Sequence, residues 1–581
     1  MTGDDSDFRI RPGRGRDAGR GSAGKGQRLA AQVRRAAARQ GLTPLRKGGR
    51  GGTQRSGRGR RVVAVACFRA NGRRVVVKAR VVRHKGTRYR AAPLAKHITY
   101  LERDGVTRDG RDASIFDAEG DVADRTGFAS RCENDRHHFR FIVSPEDAAE
   151  MEDLRGFTRE LMQDMARDLG TRLDWVAVDH WNTDNPHIHI LVRGVADDGA
   201  DLVIDRAYMS EGLRFRAEVR VTLELGLRSE HEMHQALERE VDAERWTSLD
   251  RQIERTTAET GGLLDLRPEA GRDTASDRLL RGRTATLERL GLAERIGPAV
   301  WIIDPGAERT LRDLAVRGDV IKTMHRAMQR GSIAFDASAL AIHGEAPAEP
   351  IVGRLVARGL DDELAGTAFA IVDATDGRTH HIRFDDLEWT GDAKPGAIVE
   401  LRRWEGRDAS ARLSLALRSD LPLAEQIGAN GATWLDRQLV ARDAAFAGSG
   451  FGLAVREAME ARAKFLESEG LARRKGQRLI LASDLIDTLK GRDLDAAATA
   501  IAARTGLAHQ PSASGEHVSG TYRERVSLAS GRFAMIDDGL GFQLVPWRPA
   551  LDRHLGQHIN GTLAAGGSID WSLGRGRGLG I

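Results

Sequence analysis

At 581 residues with 30% of them charged and a net charge of +6, the chain is long enough for several domains, each with its own core. It has no run of about 18 apolar residues and a polar N-terminus, which excludes a membrane span and a secretory signal and makes the cytoplasm the expected location. Its two cysteines, Cys67 and Cys132, lie far apart, so neither a disulfide framework nor a Cys-based zinc finger is expected.

The charge is uneven: residues 1–61 carry +13 and the remainder −7. That first stretch is rich in Gly, Arg and Ser, the composition of a disordered arm suited to binding a polyanion by counterion release, or merely to solubilising the chain. Residues 62–90 read as one or two β-hairpins turning at Asn71-Gly72, with Lys and Arg alternating on one face. "PLAKHITYLERDG" (93–105) reads as a helix, because Pro93 suits its first turn, Gly105 a stop, and Leu94, Ile98 and Leu101 one buried stripe. His97 and Tyr100 fall beside each other off that stripe, facing a cleft. "HHFRFIVS" (137–144) reads as a strand, followed by a helix with Ser144 as N-cap, Pro145 at N1 and Gly170 at its end.

Next comes "LDWVAVDHWNTDNPHIHILV" (173–192), two β-rich runs around a segment dense in turn formers. Alternate residues of a strand share a face, so His187 and His189 point together, and a hairpin returns His180 beside them. The order β, α, β, β, α, β, β implies an α+β domain with an antiparallel sheet, ending near residue 245. Three imidazoles without a fourth strong ligand make an open metal site, which catalysis needs so that substrate oxygens reach the ion. The alternative is a hydrogen-bonded hairpin without metal. For phosphoryl chemistry the expected ion is Mg or Mn, which keeps exchangeable water.

Tyrosine is scarce, at Tyr89, Tyr100, Tyr208 and Tyr522. A phenol beside such an ion can attack a phosphodiester and store the bond as a phosphotyrosine. "HITYLERDG" resembles the tyrosine motif of MobP-class plasmid mobilisation relaxases, and "HWNTDNPHIHILV" resembles their HxDxxxPHxH motif. These are single-stranded DNA nickases of the HUH superfamily, which includes the T-DNA border nickase. The likeness spans about residues 90–195. It implies Tyr100 as nucleophile and His180, His187 and His189 as metal ligands. One departure is that Asn182 stands where the family has Asp, while Asp184 lies two residues on, to orient a ligand or only to cap the turn. His97 is a candidate to accept the tyrosine proton, against the commoner case of an exposed helical histidine. His137 and His138 read as core or surface histidines. Rolling-circle replication initiators usually place their tyrosine after the histidines, where Tyr208 is the nearby candidate.

The second half partly repeats. "RTATLERLGLAERIGPAVWII" (283–303) matches "RAKFLESEGLARRKGQRLILA" (462–482) at a constant offset of 179, and each copy precedes a β-rich segment. A helix, turn and hairpin read as a winged helix, and the β-rich segments as small barrels. The expected fold class is α+β: an HUH-type antiparallel sheet with helices over 62–248, then winged-helix-like modules over 249–345 and 421–510 and small β-barrel-like modules over 346–420 and 511–581. This layout resembles longer relaxases with an uncharacterised C-terminal region. The resemblance implies a conjugative relaxase whose partners are single-stranded DNA at an origin of transfer, accessory relaxosome proteins and a type IV coupling protein, with no membrane. A replication initiator, and a non-catalytic DNA-binding regulator on a nickase scaffold, stay open beside it.

Overall fold

A computed structural model describes residues 72–84, 92–102, 108, 113–181, 185–268, 274–362, 364–405, 411–441, 445–512, 515–563 and 569–571. They fall into two units, divided between residues 316 and 317. The basic arm, residues 62–71, Tyr89, Asn182, Asp184 and the terminal glycine- and arginine-rich tail lie outside the described residues.

The first unit is built on strands β1 (Val75–Arg83), β2 (His137–Pro145), β3 (Trp175–His180) and β4 (His187–Arg193). They pair antiparallel in the order β1-β2-β4-β3, so among the described residues β1 finds its partner in β2. Period-two alternation divides each strand between two faces. Phe139, Phe141, Val143, Ile188, Ile190 and Val192 form one face and pack under helices α3 (Leu154–Leu169) and α4 (Leu213–Leu225). Val176, Val178 and Leu191 form the other, under α1 (Ala92–Leu101) and α2 (Arg125–Arg131). The stripe Leu94, Ile98 and Leu101 of α1 is at most 1% exposed, each side chain contributing about 2 kcal/mol by burial.

Helix α3 starts later than the Ser144 cap predicts. The β1–β2 ladder runs through Ser144 and Pro145, so strand pairing wins there. The cap is Asp153, whose carboxylate accepts from the Arg155 and Gly156 amides, while Gly170 closes the helix at φ 68° as expected.

The unit continues with α5 (Glu230–Val241), α6 (Ser248–Thr257), β5 (Leu263–Asp265), α7 (Ala275–Arg289), β6 (Ala293–Gly297) and β7 (Val300–Ile303). The three short strands pair as β5-β7-β6, and a separate core gathers Leu249, Ile253, Leu264, Leu280, Leu287 and Leu292. Helix α8 (Ala307–Arg330) follows.

The second unit holds two six-stranded sheets. The first has β8 (Leu340–Ile342), β9 (Val352–Asp362), β10 (Thr367–Ala374), β11 (Thr379–Phe384), β12 (Ile398–Glu405) and β13 (Ala411–Ser419), ordered β8-β11-β10-β9-β12-β13. Helices α9 (Leu423–Ile427), α10 (Trp434–Ala441) and α11 (Gly450–Ser468), the hairpin β14 (Ala472–Lys475) and β15 (Arg478–Leu481), and α12 (Leu485–Thr505) come next. The second sheet comprises β16 (Ala508–His509), β17 (His517–Leu528), β18 (Gly531–Asp537), β19 (Gly541–Pro546), β20 (His558–Leu563) and β21 (Ile569–Trp571), ordered β16-β19-β18-β17-β20-β21. The two orders are the same, down to a short first strand that pairs parallel with the fourth. Among the described residues neither β8 with β13 nor β16 with β21 pairs, so both sheets are open rather than closed barrels.

The repeat seen at offset 179 extends into the interior. In one copy Arg283, fully buried, donates to both oxygens of Asp250 and to the carbonyls of Val241, Ala243 and Arg245. In the other, Arg462 donates to both oxygens of Asp436 and to the carbonyls of Ile427, Ala429 and Gly431. Each aspartate also accepts from a capping threonine, Thr247 or Thr433. The residues of these networks correspond position by position, so the chain contains two copies of one structural unit.

Candidate active site

The register places His180 directly opposite His187, and His189 opposite Val178, so the three rings share the face of the sheet that α1 covers. His180 and His189 are buried and His187 is half-buried. One nitrogen from each ring lies within 4.8 Å of the others. Backbone carbonyls set two of the tautomers, since a carbonyl only accepts. His180 Nε2 donates to the Leu101 carbonyl at 2.8 Å, which presents Nδ1, and His187 Nδ1 donates to the Asn185 carbonyl at 3.0 Å, which presents Nε2. His187 Nε2 and His189 Nε2 stand 3.1 Å apart, with rings inclined at 72°. Three converging ring nitrogens, with the outer nitrogens of His180 and His187 anchored, are the donor set a divalent ion requires, and these residues fit one.

The bond from His180 reaches the residue that follows Tyr100. Tyr100 occupies the last turn of α1 and is half-buried. His97, one turn earlier, is 7% exposed, which removes the reading of an exposed helical histidine. Asp184 lies outside the described residues. Asp179, which sequence patterns did not single out, anchors the end of β3. It accepts from Arg155 Nε at 2.9 Å and from Trp181 Nε1 at 2.8 Å.

His138 is buried in a directional chain. Arg140 Nε can only donate, so His138 Nε2 accepts at 3.1 Å and its Nδ1 carries the proton to His84 Nε2, 2.8 Å away. His84 Nδ1 in turn donates to the Asp135 carbonyl at 2.5 Å. Burial, then the charges of Arg140, His84 and His97, hold His138 well below the ordinary histidine range. Nothing local in the sequence marks this chain, because His84 and His138 meet only when β1 pairs with β2.

On the same face, Lys78, Ile142, His189 and Val178 form one row across the sheet, and Arg80, Arg140, Leu191 and Val176 the next. Lys78 stands two strands from His189, about 10 Å at ordinary strand spacing. Arg80 stands directly opposite Arg140, which places two positive charges side by side in that row. The alternating basic residues of β1 were legible in the sequence.

Tyr208 belongs elsewhere. It is buried, its hydroxyl donates to Asp168 Oδ2 at 3.0 Å, and Asp168 is gripped by Arg216. Burial foremost, with the Asp168 charge, raises its phenol far from ionisation.

Three imidazoles thus sit together on paired antiparallel strands, with Lys78 and Arg80 two strands away on the same face. Residues 105–217 match the family model described as MobA/VirD2-like relaxase, nuclease domain, a span that includes all three histidines and begins after Tyr100. The chain as a whole belongs to the family described as protein of unknown function (DUF3363), whose model matches residues 280–412 and 402–580. No curated protein and no solved structure matches the chain. No described helix is long and apolar enough to cross a membrane.

Proposed function

We propose that this protein is a conjugative relaxase, which nicks one strand at an origin of transfer and stays joined to the 5′ phosphate. The observation that carries the reading is the His180 to Leu101 hydrogen bond, because it fixes the tyrosine-bearing turn against the three-imidazole wall. In this reaction Tyr100 Oη attacks the scissile phosphorus, the bond to O3′ breaks, and a 5′-phosphotyrosine and a 3′ hydroxyl form. His97 is assigned to take the phenolic proton. His180, His187 and His189 would hold Mg or Mn, which when bound supplies charge stabilisation at the phosphoryl oxygens. Asp184 is assigned to orient one of these rings. Lys78, Arg80 and Arg140 neutralise the phosphates of the incoming strand. Attack of a 3′ hydroxyl on the phosphotyrosine reverses the reaction and rejoins the strand.

Within this reading, α5 to β7 and α9 to β15 are two winged-helix-like modules, and the partners are the accessory relaxosome proteins and a type IV coupling protein.

The test is incubation of the full chain, wild type and Tyr100→Phe, with single-stranded origin-region oligonucleotides and Mn²⁺. A covalent adduct on a denaturing gel is expected for the wild type alone and is expected to vanish with EDTA. An adduct persisting in Tyr100→Phe overturns the tyrosine assignment. Binding without any adduct under Mg²⁺ or Mn²⁺ overturns the catalytic reading in favour of a DNA-binding regulator.

A further inference from the structure

The two six-stranded sheets share a strand order yet differ on one face. On the outward side of β12 and β13 stand Arg402, Trp404, Arg412 and Arg418, with Glu400 the one acid, while Val399, Leu401 and Leu415 on the inward side fill the core. Glu400 is shared by Arg402 and Arg418, and the helix that carries Trp389 adds Asp386 at its cap and Glu388 in its first turn, so the arginines lie on the Trp404 side of the face. Trp404 meets Trp389 from the single-turn helix Leu387–Thr390, their ring centres 5.0 Å apart and their planes inclined at 60°. Both indoles are exposed, at 36% and 37%, in a chain with 5% aromatic residues. Arg358 holds that helix in place by donating to Thr390 Oγ1 and to the Gly391 and Ala393 carbonyls, so Trp389 is presented from a fixed support.

The second sheet supplies an internal comparison. Gly353 pairs with Val399 as Gly520 pairs with Ile559, and Gly396 and Gly556 precede the two strands with positive φ, which fixes an offset of 160 between β12 and β20. At that offset Asn560 stands for Glu400 and Thr562 for Arg402. The corresponding helix Pro549–His554 contains no tryptophan. Among the described residues, the counterparts of Glu400 and Arg402 and of the Trp389 helix in the second copy therefore carry neither the tryptophan nor the arginine.

We propose that the Trp389–Trp404 face of the first sheet is a second nucleic-acid site, which binds single-stranded DNA by stacking unpaired bases on the two indoles while Arg402, Arg412 and Arg418 take the phosphates. Exposed indoles inclined to each other accept bases whose faces are free, which a single strand offers and a duplex does not. The arginines beside the Trp404 indole favour a polyanion over an apolar peptide. The choice of single-stranded DNA rests on the nickase reading of the first unit, whose product is one displaced strand; the geometry of the face does not.

The test uses the full chain carrying Tyr100→Phe, so that cleavage does not intervene, and oligo(dT) with 5-iododeoxyuridine at alternate positions. After irradiation and proteolysis, adducts are expected on the peptides containing Trp389 and Trp404. Their yield is expected to be at least about tenfold above that with a duplex bearing the same base. Adducts confined to other peptides, or equal yields from single strand and duplex, overturn the proposal. In the otherwise wild-type chain, Trp389→Ala/Trp404→Ala keeps the covalent nicking of a short oligonucleotide if the proposal holds, and its loss there places the two indoles in the catalytic machinery instead. Failure of nicking in the wild type alone would strike the first unit and leave the crosslinking result standing.

Discussion

Arg283 and Arg462 are each an unscreened charge within a core, and a fork of donors is what makes them tolerable. Each guanidinium satisfies two carboxylate oxygens and three carbonyls at once, a geometry that lysine's single ammonium cannot reproduce. Removing the arginine strands a buried carboxylate, which costs about 3–5 kcal/mol, whereas the pair as a whole adds little over an apolar replacement. Arg462→Met is therefore expected to lose about 3 kcal/mol, tempered by the Thr433 bonds to Asp436, and Arg462→Lys nearly as much. Urea unfolding of the second unit checks this, and a Lys variant as stable as the wild type would mean that charge alone suffices. Arg283 and Arg462 were visible in the sequence as one pair of matched positions, but their partners Asp250 and Asp436 were not, because the spacing between partner and arginine differs by seven residues between the copies.

At the scale of elements, glycine marks where two strands cross too closely for a side chain. A Cβ on Gly353 would lie 2.3 Å from the Asp373 carbonyl oxygen, and one on Gly520 2.5 Å from that of Asp537, so the two sheets use the same close approach. Gly353→Ala and Gly520→Ala are each expected to cost about 2–3 kcal/mol, since backbone cannot move aside cheaply. Parallel losses in thermal unfolding would confirm that β9 and β17 are equivalent, and a silent Gly520→Ala would break the equivalence. The elements legible in sequence were those with a clean period: the apolar stripe of α1, the alternation of β1 and the HxH strand β4. The hairpin that returns His180 to His187 was legible as well, because Asn185-Pro186 ends one strand before the other starts. What the sequence hid was pairing between distant strands. β1 could not be assigned to β2 from local pattern, so neither the His84–His138 chain nor the basic rows reaching His189 could be read. The start of α3 was misplaced for a related reason, because Ser144-Pro145 has the chemistry of a cap while tertiary pairing uses it as strand.

Over the whole molecule the histidines divide by what burial does to them. His84 and His138 in the first unit, and His343, His380, His381 and His509 in the second, are all lowered, with desolvation the leading cause. His381 is the clearest case: it lies against Phe369 with ring centres 5.3 Å apart, its Nδ1 has no hydrogen-bond partner, and burial brings its pKa down to about 4, Arg383 and His343 adding to the effect. The folded chain keeps this ring neutral where the unfolded chain, titrating near its ordinary 6.5, takes up a proton. Its contribution is therefore complete above pH 6.5 and is lost as pH falls towards 4, by about 3 kcal/mol at the lower end. Above neutrality these histidines contribute no slope. The measurement is urea unfolding of the second unit at pH 7 and pH 4.5, for wild type and His381→Phe. The larger ring incurs a packing cost that is the same at both values, so the difference between them isolates protonation. The variant is expected to lose about 2–3 kcal/mol less than the wild type on acidification; an equal loss would assign the acid sensitivity of this sheet to the neighbouring Asp376–His380–His343 hydrogen bonds instead.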